Sequence, residues 1–384
     1  MVWCIASNRS GYILIKILMI INSIDMKQIN NCIKAIFFIA IMGLPFLEIF
    51  AGNEQRAGQA GASELLINPW ARSSGWAGAN IAGVRGIEGI FSNVAGLAFT
   101  KKTELIFSQT SWLKYGNKMF DANSSVSNIS SFGFAQKVGE SGVIGFSVMS
   151  MDFGEIEITT VDLPDGGIGT YSPKFMNIAL SYAKIFSNSI YGGMTVKMIS
   201  EQISNVGANG IALDAGIQYV TGQKDNLKFG ISLKNVGPRM SFTGDGLSFR
   251  GFAGNEDNYK MTVEQRSSEL ELPALLNIGM SYDVNVLRHR LTAAGTFTSN
   301  SFQKDQYRIG GEYSYREMFM VRLGYTYEDG LNTPTTRTTA LRGPSGGFTV
   351  ELPMGNETIF GLDYSYRHTD PFQGSHTIGA RINL

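Results

Sequence analysis

The residues best able to do chemistry in this 384-residue chain are few and scattered. General acid/base catalysis usually needs histidine or paired carboxylates held in a cleft. The three histidines, His289, His368 and His376, fall where strands are predicted to start or end, and we interpret them as interfacial or solvated. The two cysteines, Cys4 and Cys32, fall in a segment that is predicted to be removed, so thiol catalysis, thiolate metal sites and disulfides are not expected. The sequence therefore predicts a protein that is not an enzyme, with no catalytic residues, no cofactor and no metal site.

Charged residues recur on one face of alternating segments in the second half of the chain. Four carboxylates are expected to face four arginines in the interior, namely Asp214, Asp283, Glu312 and Asp363 opposite Arg308, Arg322, Arg367 and Arg381. One interpretation is a charge network that fills an internal space. The alternative is a lining that selects a solute.

Three evenly spaced glycines, Gly83, Gly86 and Gly89, resemble a phosphate-binding loop at first sight. They lack the G-x-G-x-x-G pattern, follow no predicted strand and precede no Gly-Lys-Ser/Thr. Nucleotide binding is not expected.

The elements that must position these side chains are β-strands, because period two dominates from Thr103 onward. In Val321–Glu328 one face carries Val321, Leu323, Tyr325 and Tyr327, and the other carries Arg322, Gly324, Thr326 and Glu328. Tyr307–Arg316, Thr358–Arg367 and Ser375–Leu384 repeat this scheme. Tyrosines near strand ends resemble the interfacial aromatic girdle of a membrane barrel. A large secreted β-protein is the alternative.

Fourteen strands are predicted, an even number as in bacterial single-chain barrels. They cover roughly 103–113, 124–138, 141–160, 174–186, 189–205, 209–222, 227–237, 274–287, 288–300, 307–318, 319–328, 343–352, 358–369 and 374–384. Links after odd-numbered strands are long and links after even-numbered strands are short, except for brief joins near 206–208 and 370–373. Short periplasmic turns and longer outer loops are the outer-membrane pattern. The predicted fold class is therefore all-β, a transmembrane antiparallel β-barrel of about 14 strands.

Composition agrees with this fold. Lys and Arg total 32 and Asp and Glu total 32, and this zero net charge argues against a nucleic-acid partner. The hydrophobic fraction of 43% excludes low-complexity disorder. The 45 glycines suit small lumen-facing positions, and the low charged fraction of 17% suits an outer face that meets lipid.

Residues 1–52 are predicted to be a signal-peptide region. From Met26 the chain reads MKQINNCIK and then AIFFIAIMGLPFLEIF, which combines lysines with an apolar core that ends before the small residues Ala51 and Gly52. We expect the true start to be Met26, and a tandem membrane anchor is the alternative.

Residues 53–102 do not alternate and are rich in small residues. We predict a compact N-terminal hatch inside the barrel mouth, because the lumen of a 14-strand barrel is too wide for side chains alone to fill. Residues 103–384 then form the barrel.

Several segments carry a resemblance to a known family. Leu65–Gly83, LLINPWARSSGWAGANIAG, looks like the family's opening motif, small-Arg-x-x-Gly-x-Gly-Gly, and Ser92–Leu97 resembles its Asn-Pro-Ala-Gly-Leu hatch motif. Together with TELIFSQTSW, FGEI and the terminal GARINL, they make the chain resemble the PorV/PorQ family of Bacteroidota outer-membrane proteins, which are related to FadL-type 14-stranded barrels. The hatch motif maps onto Asn93, Val94, Ala95, Gly96 and Leu97. Val94 replaces the usual proline, and Leu384 replaces the aromatic residue common at barrel termini.

The resemblance implies a non-enzymatic role in type IX secretion at the cell outer membrane. PorV-like barrels dock on the large translocon barrel and receive cargo through its C-terminal domain, whereas PorQ-like members look like anchors for a surface protein. Expected partners are outer-membrane lipid and such proteins. The working surface would be the long loops Gly237–Pro273 and Asp329–Pro344. Its candidate contacts, of the types that commonly anchor interfaces, are Arg239, Phe242, Phe249, Arg250 and Phe252.

Two other functions stay open. FadL-like uptake of hydrophobic molecules predicts an apolar pocket between hatch and wall and a lateral opening, which the pair Gly192 and Gly193 would favour by weakening strand pairing. A purely structural outer-membrane protein is the other alternative. The loop aromatics would in either case pack the loop on itself.

Overall fold

The protein is described from a computed structural model. The structure describes residues 52–113, 127–252, 260–333, 335–355 and 358–384. Nearly all of the predicted signal-peptide region, including Met26, lies outside the described residues. No helix in the described ranges combines the length and the apolar character that a membrane crossing requires.

Within the described residues, fourteen antiparallel strands form a closed barrel, which confirms the predicted fold class. They are β1 Thr103–Trp112, β2 Ser127–Val138, β3 Gly142–Asp152, β4 Lys174–Ile185, β5 Ile190–Ile203, β6 Val206–Thr221, β7 Leu227–Val236, β8 Leu275–Val286, β9 His289–Asn300, β10 Gln306–Tyr315, β11 Phe319–Glu328, β12 Leu341–Pro353, β13 Ile359–Thr369 and β14 Ser375–Asn383. Each strand pairs with its neighbours in sequence, and β14 pairs with β1 in continuous register. Closure leaves the barrel without a free sheet edge.

The predicted faces of the strands are confirmed. On β11 the side chains of Val321, Leu323 and Tyr327 are exposed on the outside, whereas Arg322 and Glu328 are buried inside. The other strands follow the same alternation, because successive side chains of a strand point to opposite faces. The outside of the barrel is therefore apolar.

The lengths of the links divide the barrel into two ends. Even-numbered strands are followed by short turns, at 139–141, 186–189, 222–226, 287–288, 316–318 and 354–358, and we name this the turn end. Odd-numbered strands are mostly followed by long loops, and we name that side the loop end. Three of these links are short, at 204–205 and 370–374, as predicted, and at 301–305, which is predicted among the long links.

Two predicted segments differ from the structure. β3 stops at Asp152 instead of near residue 160, because the alternation continues into a small hairpin of Ile156–Glu157 with Thr170–Tyr171. The link 237–274 is predicted as a single long loop, yet Phe242–Thr243 pairs with β6 and Ser248–Phe252 pairs with Lys260–Glu264. In this link the alternating segments are too short to be recognised among polar loop residues.

The hatch threads the barrel from the loop end to the turn end. At the loop end Ala60 bridges Glu271, and the Gly61 N–H donates to the Glu271 carbonyl at 2.9 Å. The chain then descends through short helical turns at Ser63–Leu66, Ala71–Gly75, Gly86–Phe91 and Val94–Phe99. It leaves at the turn end directly into β1, where Thr103 exchanges backbone hydrogen bonds with Leu384.

Small wall residues let the hatch lie directly against the strands. A Cβ on Gly216 would lie 2.1 Å from Oδ1 of Asn93, and a Cβ on Gly324 would lie 2.4 Å from the carbonyl carbon of Trp76. Other glycines in similarly tight contact with the hatch are Gly133, Gly145, Gly193, Gly230, Gly279 and Gly310. These positions account for part of the high glycine content.

Candidate lumen site

One half of the lumen wall carries an apolar cluster, with buried polar residues such as Ser131, Ser147 and Asn177 between its members. Hatch side chains, including Trp70, Ile87 and Leu97, pack there against inward residues of β1–β6. We name this cluster the apolar sector, whose wall residues are Ile106, Ile129, Ala135, Val143, Met149, Met151, Phe175, Ala179, Ala183, Ile199, Ala208 and Ala212. It extends from the loop end, at Phe175 of β4, to the turn end, at Val143 of β3. The apolar sector is therefore a packed contact between hatch and wall that spans the length of the barrel.

The loop end of the apolar sector is rich in methionine. Met149 and Met151 of β3 are buried there, and so is Met240 of the 237–274 loop. Met240 exchanges two backbone hydrogen bonds with Leu270, at 2.9 and 2.7 Å, so the loop is fastened over the sector. Methionine side chains have three rotatable bonds and adapt to irregular partners. This end can therefore rearrange at low cost.

The hatch motif contacts the wall at β5, β6 and β7. Asn93 is fully buried, and its Nδ2 donates to the carbonyl oxygens of Ile217 at 3.1 Å and Ile231 at 3.4 Å. Its Oδ1 accepts the Ala95 N–H at 3.2 Å and so caps the helical turn Val94–Phe99. Val94 occupies its place without the rigid turn that a proline would impose. The motif thus fixes the hatch to backbone of the wall.

A bulge interrupts the pairing of β6 with β7 on the loop-end side of this contact. The register shifts between Leu213 and Ala215, and Oδ1 of Asp214 accepts the N–H of Asn235 at 2.7 Å. Lys197 of β5 pairs with Asp214 and donates to Oδ1 of Asn235 at 2.8 Å. All three side chains are buried, so the ion pair replaces the lost ladder bonds.

The other half of the lumen, on β9–β14, carries charge near the turn end. Each of these six strands contributes one member of a group that we name the ionic sector, namely Arg290, Glu312, Arg322, Glu351, Asp363 and Arg381. Nε of Arg322 lies 2.9 Å from Oε2 of Glu312, and the two residues are direct cross-strand partners. Thr349 accepts from Arg322 and donates to Asp363, which links the pair to β13.

The hatch supplies two further charges to the ionic sector. Glu88 lies 3.5 Å from Arg381 and accepts a hydrogen bond from Ser73 at 2.6 Å. Arg72 lies 3.7 Å from Glu351 and 3.9 Å from Glu312. Buried charges need partners to offset their desolvation, so the hatch and the wall neutralise each other.

The predicted lumen charges are all inward, but most of the expected pairs do not form. Of the eight residues, Glu312 and Arg322 pair with each other, whereas Asp214 pairs with Lys197 and Asp283 with Lys228. Arg308 bonds instead to Gln306, and Arg367 makes no ion pair with any part of the chain that the structure describes. Strand register decides these outcomes, because only adjacent and diagonal neighbours on one face can meet. Whether this set acts as a functional network stays a prediction.

Several charged residues at the site escaped the sequence analysis. They are Arg72, Glu88, Lys197, Lys228, Lys234, Arg290 and Glu351. Strand alternation alone would have placed the wall residues inward. No such sequence signal indicates the direction of side chains in the hatch, because the hatch has no periodicity.

The residues of the predicted partner loop lie in different surroundings. Arg239 is exposed but bonded to Oε1 of Glu271 at 2.7 Å, and Phe242 packs against the apolar sector. Phe249 and Arg250 are exposed on the Ser248–Phe252 strand, and the Phe252 side chain lies outside the described part.

Glu271 is the acceptor that ties the start of the hatch to this loop. NH2 of Arg56 donates to its Oε2 at 2.6 Å, and Arg239 donates to its Oε1. The hydrogen bond from Arg56, followed by the attraction of both guanidiniums, lowers the pKa of Glu271 below its usual value. This ion pair therefore favours the docked N-terminal segment only while Glu271 is ionised.

A cavity of about 110 Å³ lies within the hatch, lined by Arg72, Trp76 and Glu88 among others, well below the size of ordinary ligand pockets. Gly192 and Gly193 pair with both neighbouring strands without a register shift, so the described wall is continuous there, and weakened pairing at this site stays a prediction. The described residues hold no cluster of three or more His, Cys, Asp or Glu side chains able to bind a metal ion.

Comparison with solved structures identifies proteins of similar fold. The monoaromatic hydrocarbon channel CymD superposes with a TM-score of 0.53 at 13% identity, over 83% of this chain and 97% of its own. The toluene transporters TbuX of Ralstonia pickettii and TodX of Pseudomonas putida each give a TM-score of 0.50 at 13% identity, over 82% of this chain and 97% of theirs. No protein-family model matches the sequence, and no curated protein matches it significantly. The chain therefore shares the barrel fold of these channels, whereas membership of the PorV/PorQ family stays a prediction.

Proposed function

We propose that this protein conducts small hydrophobic molecules across the outer membrane. The observation that carries the proposal is the apolar sector, which runs between hatch and wall from one end of the barrel to the other. A molecule that moves along β1–β4 meets the apolar side chains of the sector, while the neutralised pair of Lys197 and Asp214 lies on β5 and β6 and the ionic sector lies on the opposite strands. Transfer of a hydrocarbon from water to such a surface is favourable.

The shared fold and the outer surface support the same proposal. The proteins of similar fold named above are described as hydrocarbon channels or toluene transporters. The exposed apolar belt outside the strands, with Leu323, Leu180 and Ile217 among its members, suits the lipid of an outer membrane. The described structure would be the closed state, and movement of flexible side chains at the loop end would admit the solute.

Uptake by intact cells tests this function. The chain would be expressed in a bacterial host that lacks its own hydrophobic-uptake channel, and the initial rate of radiolabelled toluene uptake would be measured. We expect a faster rate than with an empty vector, and a loss of that gain in Met149→Gln and Ile199→Asn, which place amides in the apolar sector. Thr326→Asn, on the opposite wall at a similar height, is the matched control. A correctly assembled barrel without any gain in uptake would overturn the proposal.

Protein binding is the second candidate, favoured by the hairpin of Ser248–Phe252 with Lys260–Glu264. The cross-strand pair of Phe249 and Val263 is exposed on it, with Met261 nearby. Exposed apolar residues at the loop end suit a protein contact, which the PorV/PorQ resemblance would make a type IX translocon component, a cargo domain or a surface protein. Affinity purification from native membranes with the wild type and with Phe249→Asp/Val263→Asp distinguishes the cases. Recovery of the same proteins with the wild type and with the double variant would exclude the hairpin as the protein-binding site.

A further inference from the structure

A cleft of about 480 Å³ opens at the turn end of the barrel. It lies between the β8–β9 turn and the β10–β11 turn, which are joined by a hydrogen bond of 2.8 Å from the Arg316 N–H to the Arg288 carbonyl. Its inner side is Arg290 of the ionic sector, and its outer side is Leu287 and His289. Its lining is Asn285, Leu287, Arg288, His289, Arg290, Arg316 and Glu317. Three arginines face one carboxylate, so the cleft carries an excess of positive charge.

That single carboxylate is already neutralised. Nε and NH2 of Arg290 donate to the two oxygens of Glu317 at 2.7 and 2.8 Å, a bidentate pair. Arg288 is exposed and makes no ion pair or side-chain hydrogen bond with the described residues, and Arg316 lies 5.3 Å from the ring of Tyr315. Two guanidiniums of the cleft therefore remain available for an anion.

The strands beside the cleft carry a membrane-interface pattern. His289, Tyr315 and Phe319 are cross-strand neighbours on the outside of β9, β10 and β11. Two residues further along the same strands lie the exposed apolar side chains of Leu291, Tyr313 and Val321. An aromatic row followed by an apolar belt marks the headgroup level and the start of the hydrocarbon region.

The tip of the β8–β9 turn adds an apolar contact at this level. Leu287 is 94% exposed and has a φ of 58°, so it projects from the turn rather than folding onto the protein. A leucine so placed is costly in water but favourable beside acyl chains. Free inorganic phosphate would use the cations and gain nothing from Leu287 or from the apolar belt.

We propose that this cleft binds the phosphate headgroup of an anionic phospholipid from the inner leaflet of the outer membrane. Short turns of such barrels face the periplasm, where that leaflet lies. Arg288 and Arg316 bind the phosphate, and the acyl chains lie over Leu291, Tyr313 and Val321. The site does not depend on whether the lumen conducts.

Native mass spectrometry of the delipidated full chain tests the proposal with phosphatidylglycerol as the probe. We expect one tightly bound lipid, and binding weakened about tenfold or more in Arg288→Gln/Arg316→Gln, since each basic group near a lipid surface contributes about 1 kcal/mol. Lys184→Gln/Lys224→Gln removes two cations elsewhere on the turn end and serves as the matched control. Arg288→Lys/Arg316→Lys keeps the charge and is expected to retain binding within about threefold.

Four outcomes would overturn the proposal. The first is equal affinity of Arg288→Gln/Arg316→Gln and of the control Lys184→Gln/Lys224→Gln for phosphatidylglycerol. The second is equal binding of zwitterionic phosphatidylcholine, and the third is displacement of the lipid by millimolar inorganic phosphate, which would identify a free-phosphate site. The fourth is an equal loss in the Gln and Lys variants of Arg288 and Arg316, which would assign the effect to a disturbed turn.

Discussion

Asn93 of the hatch and Ile217 of β6 are joined by a hydrogen bond of 3.1 Å from the side-chain amide to the main-chain carbonyl. The same amide reaches the carbonyl of Ile231, the residue opposite Ile217 on β7. One hatch side chain therefore spans the junction of two wall strands. Because it bonds to backbone, the contact is independent of the wall side chains and depends on the small size of Gly216.

Asn93→Ala is expected to loosen the hatch without unfolding the barrel. The substitution removes the cap of Val94–Phe99 and both bonds to the wall, at a cost of about 1–2 kcal/mol. Hydrogen exchange of residues 93–99 should become faster, while exchange of β6 and β7 changes little. Asn188→Ala, at an exposed turn, is the control, and equal exchange in the two variants would contradict the assigned contact.

Gly216→Ala is expected to displace the same segment by steric clash. The added Cβ would lie 2.1 Å from Oδ1 of Asn93 and 3.2 Å from the Val94 nitrogen, which forces the hatch away from β6. Gly311→Ala on the outside of β10 meets only the Thr292 carbonyl at 3.7 Å and should be tolerated. Limited proteolysis of the hatch compares the two, and equal protection would show that the wall tolerates a side chain at Gly216.

Alternation along the chain was sufficient to predict the barrel. Each strand buries one face against the hatch and exposes the other, so a period of two fixed the number of strands, their faces and the two ends. The boundary of β3 was missed, because residues after Asp152 continue to alternate in a loop hairpin. Local pattern does not show where a strand leaves the barrel.

The partners inside the lumen were less accessible to sequence analysis. Arg381 pairs with Glu88, which is almost three hundred residues away, in a hatch without periodicity. Asp214 pairs with Lys197 because they lie diagonally across β5 and β6, a relation set by register. The sequence indicates that a charge points inward, whereas the three-dimensional packing determines its counter-ion.

The pair of Glu312 and Arg322 is expected to be strongly coupled. Both are almost completely buried, and Glu312 also lies 3.0 Å from Arg290. Removing one partner from a buried pair typically costs about 3–5 kcal/mol, so Glu312→Leu and Arg322→Leu should each lower the free energy of unfolding by this order. Glu312→Leu should cost more, since it leaves the buried Arg322 without its carboxylate and also removes one of the two carboxylate partners of Arg290, which keeps Glu317. Urea unfolding in detergent of the wild type, the two single variants and Glu312→Leu/Arg322→Leu forms a double-mutant cycle. If the losses of unfolding free energy in the two single variants simply add up to the loss in the double variant, the pair is not coupled.

Docking of the N-terminal segment at the loop end is expected to depend on pH. The folded pKa of Glu271 is lowered by Arg56 and Arg239, so the ionised form stabilises the docked segment. This stabilisation is present above the ordinary glutamate pKa of about 4.3 and is lost as the pH falls through the lower folded value. The protection of residues 54–61 against hydrogen exchange, relative to the intrinsic exchange rate at each pH, should therefore fall in acid below about pH 4. Glu271→Gln should remove the pH dependence, and an unchanged profile in that variant would assign it to another group.

Phe175→Ala is expected to open a hydrocarbon site within the apolar sector. Phe175 is buried at the loop end of β4 beside the methionine-rich part of the sector, so truncation leaves an apolar space lined by its neighbours. Such cavities stay dry and bind small aromatic molecules, although they lower stability by about 3–5 kcal/mol. Toluene should therefore raise the unfolding temperature of Phe175→Ala more than that of the wild type. Phe132→Ala, on the lipid-facing side of β2, makes no space in the lumen and is the control. An equal toluene effect in both variants would mean that the space closes by rearrangement of the methionines, and that the sector does not hold a solute at Phe175.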